Sequence, residues 1–148
     1  MYKHILVPTD GSKLSTKAVK QAVAFAKTIG ARITAVHVSD EYRAVMDEGF
    51  VLPAFATLKK RFEEMNVQRS NAVLKQVKAA AEAAGVACQS VAVTNNLPYD
   101  AIIQQAKKHK CDLIMMASHG RKGLSSVLLG SETAKVLTHS KIPVLVVR

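Results

Sequence analysis

Ile5-Leu6-Val7-Pro8-Thr9-Asp10-Gly11-Ser12 is a short apolar run that stops abruptly in turn-forming and helix-capping residues. That is the pattern of a buried strand delivering the chain to a helix. The helix follows: Ala18, Ala22, Phe25, Ala26 and Ile29 recur on one 3.6-residue face, and Gly30 stands where a C-terminal cap belongs.

The same unit repeats along the chain. Ile33 to Val38 reads as a second strand. Leu74, Val77, Ala81 and Ala84 share a helical face that ends at Gly85, and Val86 to Val93 reads as a third strand. Pro98 opens a helix carrying Ile102, Ile103 and Ala106. Leu113-Ile114-Met115-Met116-Ala117 is continuously apolar, as a central parallel strand covered on both faces must be, and Pro143-Val144-Leu145-Val146-Val147 makes the last strand. Alternation of this kind predicts one α/β domain over residues 1–148, with a five-stranded parallel sheet and helices on both faces. The stretch from Glu41 to Arg69, with Phe50, Val51, Leu52, Phe55 and Leu58 among charges, is too long for a tight connection and is expected to hold a short or mobile helical segment.

Bulk properties narrow the classes. Apolar residues are 49% of the chain and charged ones 22%, the balance of a globular protein. The net charge of +10 suits an anionic partner such as a nucleotide, nucleic acid or membrane surface. Its short basic clusters, Lys59-Lys60-Arg61 and Lys107-Lys108-His109-Lys110, are read as solvated helix faces, and no aromatic platform or recognition motif supports nucleic-acid binding. Cys88 and Cys111 have no CxxC spacing and read as buried, reduced thiols. Without a signal-type or membrane-length apolar run, the expected compartment is the cytoplasm.

In open α/β sheets a ligand sits beyond the carboxyl ends of strands, where successive connections leave in opposite directions. The two loops that flank this point, after strands one and four, are the richest in small and polar residues. The second of them has neither a Walker A pattern nor G-x-G-x-x-G. It does have Gly120 for close backbone approach, Arg121 and Lys122 for charge, and Gly130-Ser131 opening a helix whose N-terminus suits phosphate.

Ala117-Ser118-His119-Gly120, nine residues, then Gly130-Ser131 resembles the G-x2-G-x9-G-S/T signature of ATP-binding universal stress proteins. Residues 5–12, Ala35-Val36-His37-Val38, Asp112-Leu113-Ile114 and 143–147 also resemble that family's blocks, so the likeness spans the chain. The resemblance implies an adenine nucleotide alpha hydrolase-like fold, its strands in the order 3-2-1-4-5, and bound ATP, with Mg2+ or Mn2+ bridging the phosphates. It matches Pro8, Thr9 and Val38 to the adenine lining, Asp10 to the ribose contact, and Met116 and Ala117 to the floor beneath the sugar. Gly120, Arg121, Lys122, Gly123, Gly130, Ser131, Glu132 and Thr133 match the phosphate loop, including the hydroxyls of Ser131 and Thr133. Ala117 replaces the signature's first glycine, and its methyl would crowd the ribose or restrict the backbone if φ there is positive. It also implies a homodimer through the last strand, whose apolar edge needs cover.

Plainer roles stand beside these. Asp10 also suits a helix cap. His119 has no visible carboxylate or nucleophile partner for acid–base work, so it is read as a positioning or phosphate-contact residue. His37 is expected to be a satisfied structural histidine, and His4 and His139 to sit at element edges. No protein-only metal site and no general base for ATP hydrolysis are assigned, which leaves slow hydrolysis as the most an enzyme reading supports. The alternative function is a member of the family's non-nucleotide branch, a dimeric interaction module.

Overall fold

The computed structural model describes residues 1–43, 54–120 and 129–148. In chain order these residues form β1 (His4–Pro8), α1 (Lys13–Ile29), β2 (Arg32–Ser39), α2 (Phe55–Ala83), β3 (Cys88–Thr94), α3 (Pro98–Lys108), β4 (Leu113–Ala117), α4 (Ser131–His139) and β5 (Val144–Val147). The strands make the five-stranded parallel sheet that the alternation predicted, in the order β3-β2-β1-β4-β5 expected from the family resemblance.

Pleating divides the sheet's side chains between two cores. Ile5, Val7, Ile33, Ala35, Leu113 and Met115 pack with Ala18, Ala22 and Ala26 of α1 and Leu74, Val77 and Ala81 of α2. On the other face Leu6, Val36, Ile114 and Met116 meet Ile102, Ile103 and Ala106 of α3 and Val136 of α4. The chain leaves β1 through α1 toward β2 and leaves β4 through α4 toward β5, so a crevice opens between the carboxyl ends of β1 and β4.

Local chemistry sets the element ends. The Ser12 side chain accepts the Ser15 N–H at 3.2 Å and caps α1, while Gly30 closes it at φ 68°. Asp112 accepts the backbone N–H groups of Lys3 at 2.8 Å and His4 at 2.9 Å, fastening the start of β1 to the start of β4.

Four expectations change. Residues from Phe55 onward are no short segment but the first half of a 29-residue helix running to Ala83. Leu58, Met65 and Val67 are exposed there, so this half has little of the buried periodicity by which a helix is recognised, and no side chain caps its start. Phe50, Val51 and Leu52 lie outside the described residues. The third strand begins at Cys88, because Val86 turns back to donate its N–H to Ala81. His4 is buried and bonded through Nε2 to Thr34 Oγ1 at 2.7 Å, not at an edge. Both cysteines are free, but Cys88 is only half-buried where burial was expected; burial pushes the Cys111 thiol up to about 11, which keeps it protonated.

Candidate functional site

The crevice holds a cavity of about 470 Å³. Pro8, Val36, Val38, Ile102 and Met116 give one part of it an apolar wall, and Gly120 and the Gly130–Thr133 turn line another part. Every described residue assigned from the sequence reaches it: Pro8, Thr9, Asp10, Val38, Met116, Ala117, His119, Gly120, Gly130, Ser131, Glu132 and Thr133. Arg121, Lys122 and Gly123 lie outside the described residues.

The β1–α1 loop is held by its own polar atoms. Thr9 N–H donates to the Val36 carbonyl at 2.9 Å, and the Thr9 hydroxyl pairs with the Ser15 hydroxyl at 3.2 Å. Asp10 does not cap α1, since Ser12 does. Instead Asp10 Oδ1 accepts the Ser12 N–H at 2.9 Å, an Asx turn that fixes the carboxylate at the cavity wall.

Across the crevice, two glycines bring backbone close to these groups. A Cβ on Gly120 would stand 2.5 Å from Asp10 Oδ2, and a Cβ on Gly130 would stand 2.9 Å from His119 Cα. Gly130 is the N-cap of α4, and its own N–H donates to the Ser118 carbonyl at 2.8 Å. The first bond inside α4 runs from the Ala134 N–H to the Gly130 carbonyl at 2.9 Å. The amides of Ser131, Glu132 and Thr133 therefore have no acceptor within the helix, and they stand at its positive dipole end.

Two roles are revised. The Thr133 hydroxyl, expected to meet phosphate, donates to the Ala117 carbonyl at 3.0 Å, so what this residue can offer a ligand is its main-chain N–H. Ala117 lies in β4, among the described residues only Lys110 is a non-glycine with positive φ, and the Ala117 side chain belongs to the α1/α2 core with Met115 and Val147. Its methyl therefore lies on the sheet face opposite Met116, although the residue also borders the cavity, and no positive φ restricts the backbone there.

Three carboxylates, those of Asp10, Asp40 and Glu132, line the cavity, and among the described lining residues His119 supplies the basic side chain. The Ser118 hydroxyl lies 3.3 Å from His119 Nδ1. Among the described residues no group of three His, Cys, Asp or Glu side chains is arranged to hold a metal ion. Nor is any helix among them long and apolar enough to cross a membrane.

Sequence reasoning missed Ser15, Val36, Asp40, Asn96, Pro98 and Ile102 as lining residues. Asp40 follows β2 directly and Asn96 follows β3 by two residues, so the rule that sites form beyond strand carboxyl ends points to both once the order is known. Val36 shares the face of Val38 two residues on, a period-2 signal.

On the far face of β2, His37 Nδ1 bonds the Ser70 hydroxyl of α2 at 2.8 Å, and Ser39 Oγ lies 3.2 Å from the same hydroxyl. His37 Nε2 is buried with no partner among the described residues, so within them this histidine is only half satisfied, contrary to expectation. Burial and the nearby Arg69 guanidinium hold its pKa below the ordinary value, against the pull of Asp10.

Comparison with known proteins gives a consistent picture. A model of the universal stress protein family matches residues 1–148. Universal stress protein MJ0531 of Methanocaldococcus jannaschii is 36% identical over 148 residues, which cover 100% of this chain and 83% of that protein. The universal stress protein UspA from Lactobacillus plantarum shares the fold at a TM-score of 0.80 and 26% identity, over 99% of this chain and 98% of that one. A universal stress protein whose crystal structure is in complex with cAMP aligns at a TM-score of 0.71 and 28% identity, covering 99% of this chain and 97% of that one. Matched along its whole length by the family model and by a relative above 30% identity, with the adenine nucleotide alpha hydrolase-like fold of its structural neighbours, this chain belongs to the universal stress protein family.

Proposed function

We propose that the chain binds an adenine nucleotide, ATP in the first place, in the crevice between β1 and β4, and acts in the cytoplasm as a nucleotide-dependent regulatory protein of the stress response. The observation that carries the reading is the build of one cavity: an apolar wall from Val36, Val38, Ile102 and Met116, and a first helical turn at Ser131–Thr133 whose main-chain amides have no acceptor within the helix. A base suits the former and phosphates the latter. Asp10, whose Oδ1 accepts the Ser12 N–H at the cavity wall, is the residue we assign to a ribose hydroxyl. The structural relative in complex with cAMP adds support for an adenine ligand. Mg2+ or Mn2+, which the family resemblance implies, would enter with the phosphates of the nucleotide.

Equilibrium dialysis of the nucleotide-stripped protein against ATP, ADP, cAMP and GTP tests this. Retention of the adenine nucleotides with GTP excluded is the expected result, and equal retention of GTP contradicts the adenine assignment.

We further propose a homodimer through residues 143–147. β5 is an edge strand paired only with β4, and Leu145 on it is exposed, as is Leu137 of the adjoining α4. A second β5 running antiparallel across a two-fold axis would cover that edge. Light scattering on the full chain and on residues 1–142 checks it: a dimer for the first, and a monomer or an insoluble chain for the second. A well-behaved dimer of the truncated chain contradicts it.

A further inference from the structure

We propose that Glu132 is a positioning residue: its side chain ties the first turn of α4 to the first turn of α3 and so sets the span of the pocket that a nucleoside triphosphate must bridge. The proposal rests on the nucleotide-binding reading above and concerns the side chain, where the family resemblance concerned the phosphate loop as a whole.

The start of α3 is deficient in a way that its sequence explains. Its N-cap is Leu97, which makes no side-chain capping bond, and its first residue is Pro98, which has no N–H. The first amide needing an acceptor is therefore that of Tyr99, because the Asp100 and Ala101 amides already reach the Leu97 carbonyl at 3.1 Å each. Glu132 Oε2 accepts the Tyr99 N–H at 2.8 Å, from 33 residues away on another helix. It is a cap supplied in trans.

The remaining contacts orient that carboxylate. Lys135 Nζ donates to Glu132 Oε1 at 3.1 Å and lies 5.4 Å from the centre of the Tyr99 ring. The Tyr99 ring in turn lies 5.2 Å from that of His139, one helix turn beyond Lys135, so α3 and α4 are joined through a short polar and aromatic cluster. Pro98 and Ile102 from one helix and Gly130 to Thr133 from the other line the same cavity. A carboxylate at the opening of α4 repels phosphate, a cost offset if its purpose is to hold the α4 amides where the phosphates arrive. A ligand that uses only the base and ribose walls has less need of the tie than one that also spans to α4.

Glu132→Ala and Glu132→Gln separate the two effects, since both remove the charge and only Gln keeps a carbonyl oxygen for the Tyr99 N–H. Titrations with magnesium ATP and with adenosine are run on the full-length chain and both variants. Glu132→Ala is expected to bind ATP about tenfold more weakly than Glu132→Gln, while the two bind adenosine alike. Exchange of the Tyr99 amide proton, followed by NMR without ligand, is expected to be faster in the Ala variant. Equal ATP affinity in the two variants overturns the proposal, as does an equal loss for adenosine, which would mark a general loosening of the fold. If the unaltered chain takes up no ATP while Tyr99 exchange still differs between variants, the tie exists but the nucleotide reading has failed, and the proposed purpose fails with it.

Discussion

Gly130 donates its amide to the carbonyl of Ser118 at 2.8 Å, and this bond brings the start of α4 so close to the end of β4 that a Cβ at Gly130 would lie 2.9 Å from His119 Cα and 3.1 Å from the Ser118 oxygen. The obstruction is backbone, which cannot rotate aside. Gly130→Val must therefore displace the His119 loop or the first turn of α4, both of which line the cavity. Loss of ATP affinity by at least about tenfold, roughly 1.4 kcal/mol, is expected, with the far-ultraviolet circular dichroism of the fold retained. Unaltered ATP binding in that variant would rule out this phosphate end.

Ala117→Gly gives the opposite outcome. The Ala117 methyl belongs to the α1/α2 core with Met115 and Val147, on the sheet face opposite Met116. Removing it is expected to lower the unfolding free energy by about 1 kcal/mol without weakening ATP binding. Denaturant melts and an ATP titration check the two halves, and a clear loss of affinity would put the methyl back in the nucleotide's path.

A third expectation concerns acid. Burial first, then Arg69, lowers the His37 pKa from its ordinary 6.5, so the folded chain holds this proton less firmly than the unfolded one. Stability from neutral His37 is fully present above 6.5 and is lost as the pH falls from there toward the lowered folded value. His4, lowered by burial and then by Arg32, adds in the same direction. Urea unfolding at pH 7.5 and 5.5 should show the parent chain losing more stability than His37→Gln, in which the amide can still meet Ser70. An equal loss in both would show that His37 is not part of the acid response.

What could be read without coordinates follows from what the sequence encodes locally. Continuous apolar strands such as Leu113–Ala117, the Gly30 cap and Pro98 at a first turn are local signals, and with the alternation they identify a parallel five-stranded sheet, whose order came with the family resemblance. The first half of α2 was illegible because its exposed Leu58, Met65 and Val67 face no core, and periodicity is a signal of burial. At the site, loop chemistry pointed to the turns after β1 and β4, the family resemblance supplied Val38 and Met116, and Ser15, Val36, Asp40, Asn96, Pro98 and Ile102 were not read as lining residues. Partnerships across the fold were not legible: no spacing announces that the Thr133 hydroxyl will turn to Ala117, that Glu132 will reach Tyr99, or that one His37 nitrogen will have no partner among the described residues.

The most direct test of the central claim is a calorimetric titration of the purified, nucleotide-stripped protein with ATP and magnesium. Saturable binding in the micromolar range, about −8 kcal/mol, is the predicted result. No binding heat up to millimolar ATP would contradict the account, and the function would then have to be sought on the protein's surface, as an interaction module.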